Sequence, residues 1–258
     1  MKIVLSIAYD GFGYHGWQTQ KNIVTVQETV EKALSRIADQ PLTIHCAGRT
    51  DSGVHAENQI IHFETTAERP LDAWVLGGNS YLPDTISINW SHQTNDEFHA
   101  RYSATARSYR YIIYNDRRRS ALNFRQATHV YEPLDAHKMH SAAQHLIGEH
   151  DFSSFRAAGC QSNTPWRCIH NINVVRERNR VIIRVTANAF LHHMVRNIAG
   201  VLISIGSGKQ STEWTQELLA IKDRSKAAAT ALPNGLSLTE VSYPSTFNLP
   251  PPTEHLPC

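Results

Sequence analysis

The chain has 258 residues, 41% hydrophobic and 19% charged, with 25 Lys and Arg against 23 Asp and Glu for a net charge of +2. That balance suits a globular chain with a sizeable core and excludes disorder, and a polyanionic partner would have to meet a local basic surface. No apolar run approaches the span of a bilayer, and the first residues enter a strand pattern rather than a leader, which points to the cytoplasm and away from membranes. Ile3, Leu5 and Ile7 alternate with small or polar residues and predict a strand that ends at Tyr9-Asp10-Gly11. Val26, Val30, Ala33, Leu34 and Ile37 then recur at helical spacing, with Thr25 and Glu28 forming a capping box at the start.

Two alternating runs follow, Leu42-Thr43-Ile44-His45-Cys46 and Gln59-Ile60-Ile61-His62-Phe63, each patterned as a half-buried strand. Between them lies Gly48-Arg49-Thr50-Asp51-Ser52-Gly53-Val54-His55-Ala56, which sets one carboxylate on a tight loop bounded by glycines. A carboxylate presented this way suits an active site. The same residues also suit an ordinary capped turn.

A shorter helix is expected from Pro70 towards Gly77, and a strand over Ile86-Ser87-Ile88-Asn89-Trp90. Further strands are expected at residues 109–114 and 181–185. Helical stripes run through Met139, Ala142, Ala143 and Leu146, stopped by Gly148, and through Met194, Ile198, Val201, Leu202 and Ile205. A short helix over residues 214–221 and a last strand over 236–241 complete the order, before a proline-rich tail. Mixed helices and hairpin-like strands indicate an α+β fold. The expected division is residues 1–97 as one α+β half, 98–245 as a second, and 246–258 as the tail.

Cys46, Cys160, Cys168 and Cys258 show no paired spacing, so reduced, scattered thiols are expected. Fifteen histidines form no His-Glu-x-x-His pattern, and neither a metal site nor a phosphate loop or dinucleotide fingerprint is expected.

Five segments, met in order, resemble the A-type tRNA pseudouridine synthase family. Residues 48–56 resemble its catalytic loop, and Tyr9-Asp10-Gly11 with Tyr14-His15-Gly16-Trp17-Gln18 resembles its amino-terminal signature. Phe98-His99-Ala100-Arg101-Tyr102-Ser103-Ala104 is similar to its RNA-contacting segment, and Arg107-Ser108-Tyr109-Arg110-Tyr111 to its active-site tyrosine strand. Phe190-Leu191-His192-His193-Met194-Val195-Arg196-Asn197 resembles the helix start that carries its active-site arginine. In Gly159-Cys160-Gln161-Ser162-Asn163, the family's tRNA-contacting segment often has Gln first and Arg last, so a phosphate contact is expected to weaken here.

The resemblance implies two similar halves of RRM-like, largely antiparallel sheet flanking a cleft. It implies isomerisation of uridine to pseudouridine at nucleotides 38 to 40 of the tRNA anticodon stem-loop, by a homodimer and without a cofactor. Asp51 would be the nucleophile, with attack at C1′, attack at C6 and a glycal route all open. Arg196 would supply the cation that a carboxylate in a closed site needs. Tyr109 would stack on the uracil, with Tyr111 behind it, and Arg49 would hold the flipped backbone. His99, Arg101 and the arginines from 107 to 119 would meet phosphates.

Two other classes compete. A non-catalytic RNA-binding protein would explain the arginines and aromatics, but not a carboxylate inside a basic RNA-facing segment. An aspartate-nucleophile hydrolase would need a second carboxylate, and the loop offers only Glu57.

Overall fold

The computed structural model describes residues 1–253. They form two compact units, residues 1–105 together with those after 236, and residues 106–236. Both are α+β, with sheets that are mainly antiparallel. No helix among the described residues is long and apolar enough to cross a membrane.

In the first unit β1 (Lys2–Tyr9) is central. The helix α1 (Val26–Ala38) leads through β2 (His45–Cys46) to β3 (His55–Glu64), which lies antiparallel to β1 with Leu5 opposite Ile61. Thr25 caps α1 by accepting from the Glu28 backbone N–H at 3.4 Å, while the Glu28 carboxylate accepts from Lys32 one turn on, so only half of a reciprocal capping box forms. The strand expected over residues 42–46 shrinks to His45 and Cys46, because the Leu42 and Ile44 amides donate to Ser35 and Glu31 of α1 instead.

Beyond β3 the chain turns helical, first as a π-helical turn (Ala73–Gly77) and then as α2 (Gly78–Tyr81), four residues past the expected end. The strand β4 (Ile86–Thr94) closes the other side of β1. Ile3, Leu5, Ile7, Ile61 and Phe63 line the helix-covered face and are almost fully buried. Burying each such side chain contributes about 1.5–3 kcal/mol.

The second unit is built on β5 (Ala106–Asn115), with β6 (Thr128–Val130) parallel to it. Then come α3 (Ala136–Gln144), β7 (Gly148–Asp151), β8 (Trp166–Glu177) and β9 (Arg180–Ala187). The sheet order is β5-β9-β8-β7. The sequence pattern predicts none of β6, β7 or β8. In β8 a bulge between Ile169 and Asn171 shifts the alternation, so buried Ile169 falls out of phase with buried Ile172 and Val174. The helix α3 ends at Gln144, short of Gly148, which instead opens β7.

The helix α4 (Met194–Gly206) is apolar on nearly every side and buried on nearly every side, and α5 (Trp214–Ile221) follows it. The last strand, β10 (Leu236–Ser242), returns to the first unit, pairing parallel to β3 with Ser237 opposite His55. Residues after it cover the second face of the first unit's sheet. There Asn58, joined to Ser6, accepts from the Thr253 backbone at 3.1 Å. The proline-rich tail is therefore docked as far as Thr253, and its remaining residues lie outside those described. Cys46, Cys160 and Cys168 are free thiols, and Cys258 also lies outside.

Candidate active site

The Asp51 loop is fixed from three directions. On the β3 side the fully buried Gln59 side chain bonds both the N–H and the C=O of Gly48. From below, the Tyr9 hydroxyl meets the Thr50 hydroxyl at 2.8 Å. Against the third side runs the amino-terminal signature. Trp17 N–H donates to Thr50 O at 3.0 Å, Ser52 Oγ donates to Tyr14 O at 3.0 Å, and Gly53 N–H donates to the same carbonyl at 3.4 Å. A turn bond from Val54 N–H to Asp51 O, 3.1 Å, closes the loop on itself.

This backbone-to-backbone packing explains the glycines of the signature. A Cβ on Gly11 would stand 2.0 Å from Val54 O. Gly16 has φ +88°, in the left-handed region, and a Cβ there would stand 2.8 Å from Thr50 O. His55 Nδ1 lies 3.0 Å from both the Gly11 nitrogen and Asp10 Oδ1, so it ties the start of β3 to the same signature. Asp51 ends up half-buried, and Arg49 beside it is exposed. The signature is thus the scaffold of the aspartate loop, a relation that no local pattern in the sequence carries.

The segment from Phe98 to Tyr102 also belongs to the first unit. Phe98 is buried against Tyr243, Phe247 and His62, with ring centroids 5.1, 5.1 and 5.9 Å away. His99 Nδ1 accepts from the Arg101 and Tyr102 amides at 3.1 and 3.3 Å, which folds a tight turn. Ala100 is buried, while Arg101 and Tyr102 point outward, the guanidinium 5.6 Å from the Tyr102 ring centre. Burial pushes the Cys46 thiol up to about 12, and the charges of Arg49 and Arg101 both oppose that shift. The two expected RNA-facing arginines thus lie within electrostatic reach of one thiol.

In the second unit Tyr109 sits on β5 opposite Val185, its ring edge-on to Phe190 at 5.0 Å. Tyr111, two residues on, is fully buried. Its hydroxyl lies 2.6 Å from Thr128 Oγ1 and donates to Leu232 O at 2.8 Å. Burial pushes the Tyr111 phenol well above its ordinary range, against the Thr128 hydrogen bond and the nearby Arg196 charge. Arg196, in the first turn of α4, donates from Nε to Ala231 O at 2.9 Å, and its own carbonyl accepts from the Ala231 amide. Residues 231 and 232 therefore join Arg196 to Tyr111.

Asn197 beside Arg196 is fully buried and holds Phe155 O, Arg224 and Thr230 through its amide. Sequence reasoning passed over it as one more residue of an apolar helix, although a lone amide in such a stripe is a signal for a buried polar anchor.

Gly159 and Asn163 are exposed, as is Gln161, with Cys160 and Ser162 half-buried between them. The space around Gly159 is open, so nothing in the fold forbids a side chain there. Cations approach this loop from its flanks. Arg156 donates to the carbonyls of Cys160 and Ser162 at 2.9 and 2.7 Å, and Arg167 donates to Ser162 Oγ at 2.6 Å. Burial raises the Cys160 thiol, but the His192 and Ser162 amides and Arg156 outweigh it and leave the thiol below its ordinary value.

A family model described as tRNA pseudouridine synthase matches residues 5–103 and 142–244. Those spans take in Asp51, residues 98–102, residues 159–163 and Arg196, with Tyr109 in the stretch between them. A tRNA pseudouridine synthase A from Shewanella pealeana is 55% identical over 250 residues, covering 97% of this chain and 96% of its own. Relatives of the same name from Pseudoalteromonas atlantica and Escherichia fergusonii are each 56% identical, over 97% of this chain and 95% and 93% of theirs. The chain belongs to the tRNA pseudouridine synthase family, whose members isomerise uridine to pseudouridine.

Proposed function

We propose that this chain isomerises the uridines at nucleotides 38 to 40 of the tRNA anticodon stem-loop, with Asp51 as the nucleophile. The ribose C1′ to uracil N1 bond breaks, the base turns, and C1′ joins C5. N1 gains a proton and C5 loses one, so atoms balance within one nucleotide and no redox partner or group donor is consumed. The carboxylate serves by covalent catalysis at C1′ or C6, or by assisting a glycal route. Tyr109 stacks on the target base, Arg196 is the active-site cation, and Arg49 steadies the flipped backbone. His99, Arg101 and Tyr102, with residues 159–163, hold the RNA by shape and phosphate. The working form is a cytoplasmic homodimer.

The observation that carries this reading is the bracing of the Asp51 loop by Gln59, Tyr9 and the 11–17 backbone. An ordinary surface turn has no need of three independent supports, whereas a nucleophile must be held within a fraction of an ångström of its target.

The test is release of tritium from tRNA labelled at uridine C5, with wild type and Asp51→Ala side by side. Formation of the C5–C1′ bond expels that hydrogen. Release by wild type, and tRNA binding without release by Asp51→Ala, supports the assignment. Binding without release by wild type would leave a non-catalytic RNA-binding protein. Mapping of the product to nucleotides outside 38 to 40 would overturn the substrate site alone.

A further inference from the structure

Ala100 is held at both ends of its backbone by side chains from distant parts of the first unit. Its amide donates to His62 Nδ1 of β3 at 3.2 Å, and its carbonyl accepts from the Tyr243 hydroxyl at 2.6 Å. Just upstream, the buried Lys2 ammonium of β1 donates to the carbonyls of Asp96 and Phe98 at 2.6 and 2.9 Å. Tyr243 also packs its ring on Phe98, and His62 stacks on His45 with ring centroids 5.0 Å apart and meets His99 edge-on at 4.7 Å. The next two residues, Arg101 and Tyr102, are exposed, Tyr102 at 75%.

We infer that His62 and Tyr243, with Lys2, are positioning residues for substrate binding: they clamp Ala100 so that Arg101 and Tyr102 are preset to receive the RNA. The inference rests on the reading of residues 98–102 as an RNA-facing segment. A short loop carrying two exposed side chains would otherwise lose backbone freedom on binding, and that loss weakens affinity. A buried lysine and a buried histidine are costly features to keep in a fold unless every polar atom is used. Here the Lys2 ammonium serves the Asp96 and Phe98 carbonyls, with the exposed Glu64 carboxylate 3.6 Å away, and His62 Nδ1 serves the Ala100 amide. His62 is 3% exposed, and burial with the neighbouring His99, His45 and Lys2 charges lowers its pKa to about 3, so Nδ1 remains an acceptor throughout the neutral range. The path of the chain fits the same role, because β10 returns the C-terminal residues to the first unit and delivers Tyr243 to Ala100.

The experiment is steady-state tritium release over a range of tRNA concentrations, with thermal unfolding to confirm each variant folds. Tyr243→Phe keeps the ring on Phe98 and deletes the hydrogen bond to the Ala100 carbonyl. It is expected to raise KM for tRNA about fivefold and leave kcat unchanged. His62→Leu is expected to do the same, and His62→Asn, whose Oδ1 can stand near the place of Nδ1, to restore most of the loss. In an Arg101→Ala, Tyr102→Ala background the effect of Tyr243→Phe should vanish, because the clamp then has nothing left to position.

An undiminished effect in that background, or a fall in kcat instead of a rise in KM, would overturn the clamp and leave a general structural role. A raised KM for Arg101→Ala, Tyr102→Ala with no effect of Tyr243→Phe would overturn the clamp but keep the RNA-facing reading. An unchanged KM for Arg101→Ala, Tyr102→Ala would overturn both.

Discussion

Tyr9 and Thr50 join their buried hydroxyls at 2.8 Å, and this bond links the last residue of β1 to the residue that precedes Asp51. Tyr9→Phe removes it while the ring stays tilted against Trp17 at 5.9 Å. Thr50, 8% exposed, is left with a hydroxyl that has little water to turn to. The loss amounts to about 1 kcal/mol, felt at the aspartate's own backbone. With Asp51 as nucleophile, kcat is expected to fall about fivefold with KM for tRNA nearly constant. Steady-state tritium release checks this, and a change confined to KM would detach Tyr9 from the catalytic loop.

Gly13 and Gly16 form a natural pair of controls for the signature segment. Both have a left-handed φ, +89° and +88°, but a Cβ on Gly13 meets nothing within 4 Å, whereas one on Gly16 meets Thr50 O at 2.8 Å. Gly13→Ala should therefore lose only the conformational term, about 1 kcal/mol. Gly16→Ala should lose about 1–3 kcal/mol more and take most of the activity with it, since the clash displaces the residues around Asp51. Urea unfolding and kcat on the two variants make the comparison. Equal losses would mean that the signature does not brace the loop.

These contacts mark how far a sequence can be read. The Asp51 loop was legible because Gly, Asp and Ser in close order punctuate a chain between two alternating runs. The strands β1 and β3 are legible one by one as alternating runs, though not their pairing, and α1 is legible through its period and its capping threonine. The support of Thr50 by Tyr9, forty-one residues away, leaves no local trace, and neither does the meeting of His62 and Tyr243 at Ala100. β8 is not legible because its bulge puts Ile169 out of phase with Ile172 and Val174 and leaves too short a run of alternation to identify a strand. The start of the run at Leu42 was overcalled because alternation says nothing about whether Ser35 and Glu31 will take its amides. Local periodicity thus gave the α+β class and most of the elements, while the supports of the site depend on contacts made only in the folded chain.

Tyr109 and Tyr111 lie on the same strand two residues apart, and their surroundings separate their roles. Tyr111 is sealed between Thr128 and Leu232 O, with its phenol held in the protonated form by burial. Tyr111→Phe is expected to cost about 1–3 kcal/mol of stability, because the Leu232 carbonyl loses this donor and Thr128 loses its shorter bond, keeping Asn234 at 3.3 Å. Its effect on kcat should be small, and no ionisation of Tyr111 should enter the pH profile below pH 9. Tyr109→Ala should do the reverse, losing activity with a modest change in stability, since its ring is only half-buried. Paired urea titrations and activity assays test the split, and a kinetic defect in Tyr111→Phe without loss of stability would overturn it.

His62 gives the protein a defined weakness to acid. Its folded pKa, about 3, lies below the ordinary 6.5 because of burial and the His99, His45 and Lys2 charges. Between those two values the unfolded chain binds a proton at this position and the folded chain does not, so stability falls as pH falls. The loss begins near pH 6.5 and is complete near pH 3. By pH 5 it amounts to about 2 kcal/mol. His99, whose pKa is also lowered by burial first and then by His45, Lys2 and Arg101, adds in the same direction. Replacing the titrating ring while keeping the acceptor, as in His62→Asn, should flatten the dependence. Urea unfolding of both proteins at pH 7, 6 and 5 measures it. Parallel slopes would mean that His62 titrates alike in the folded and unfolded chain, and that Ala100 is not held by a neutral, buried imidazole.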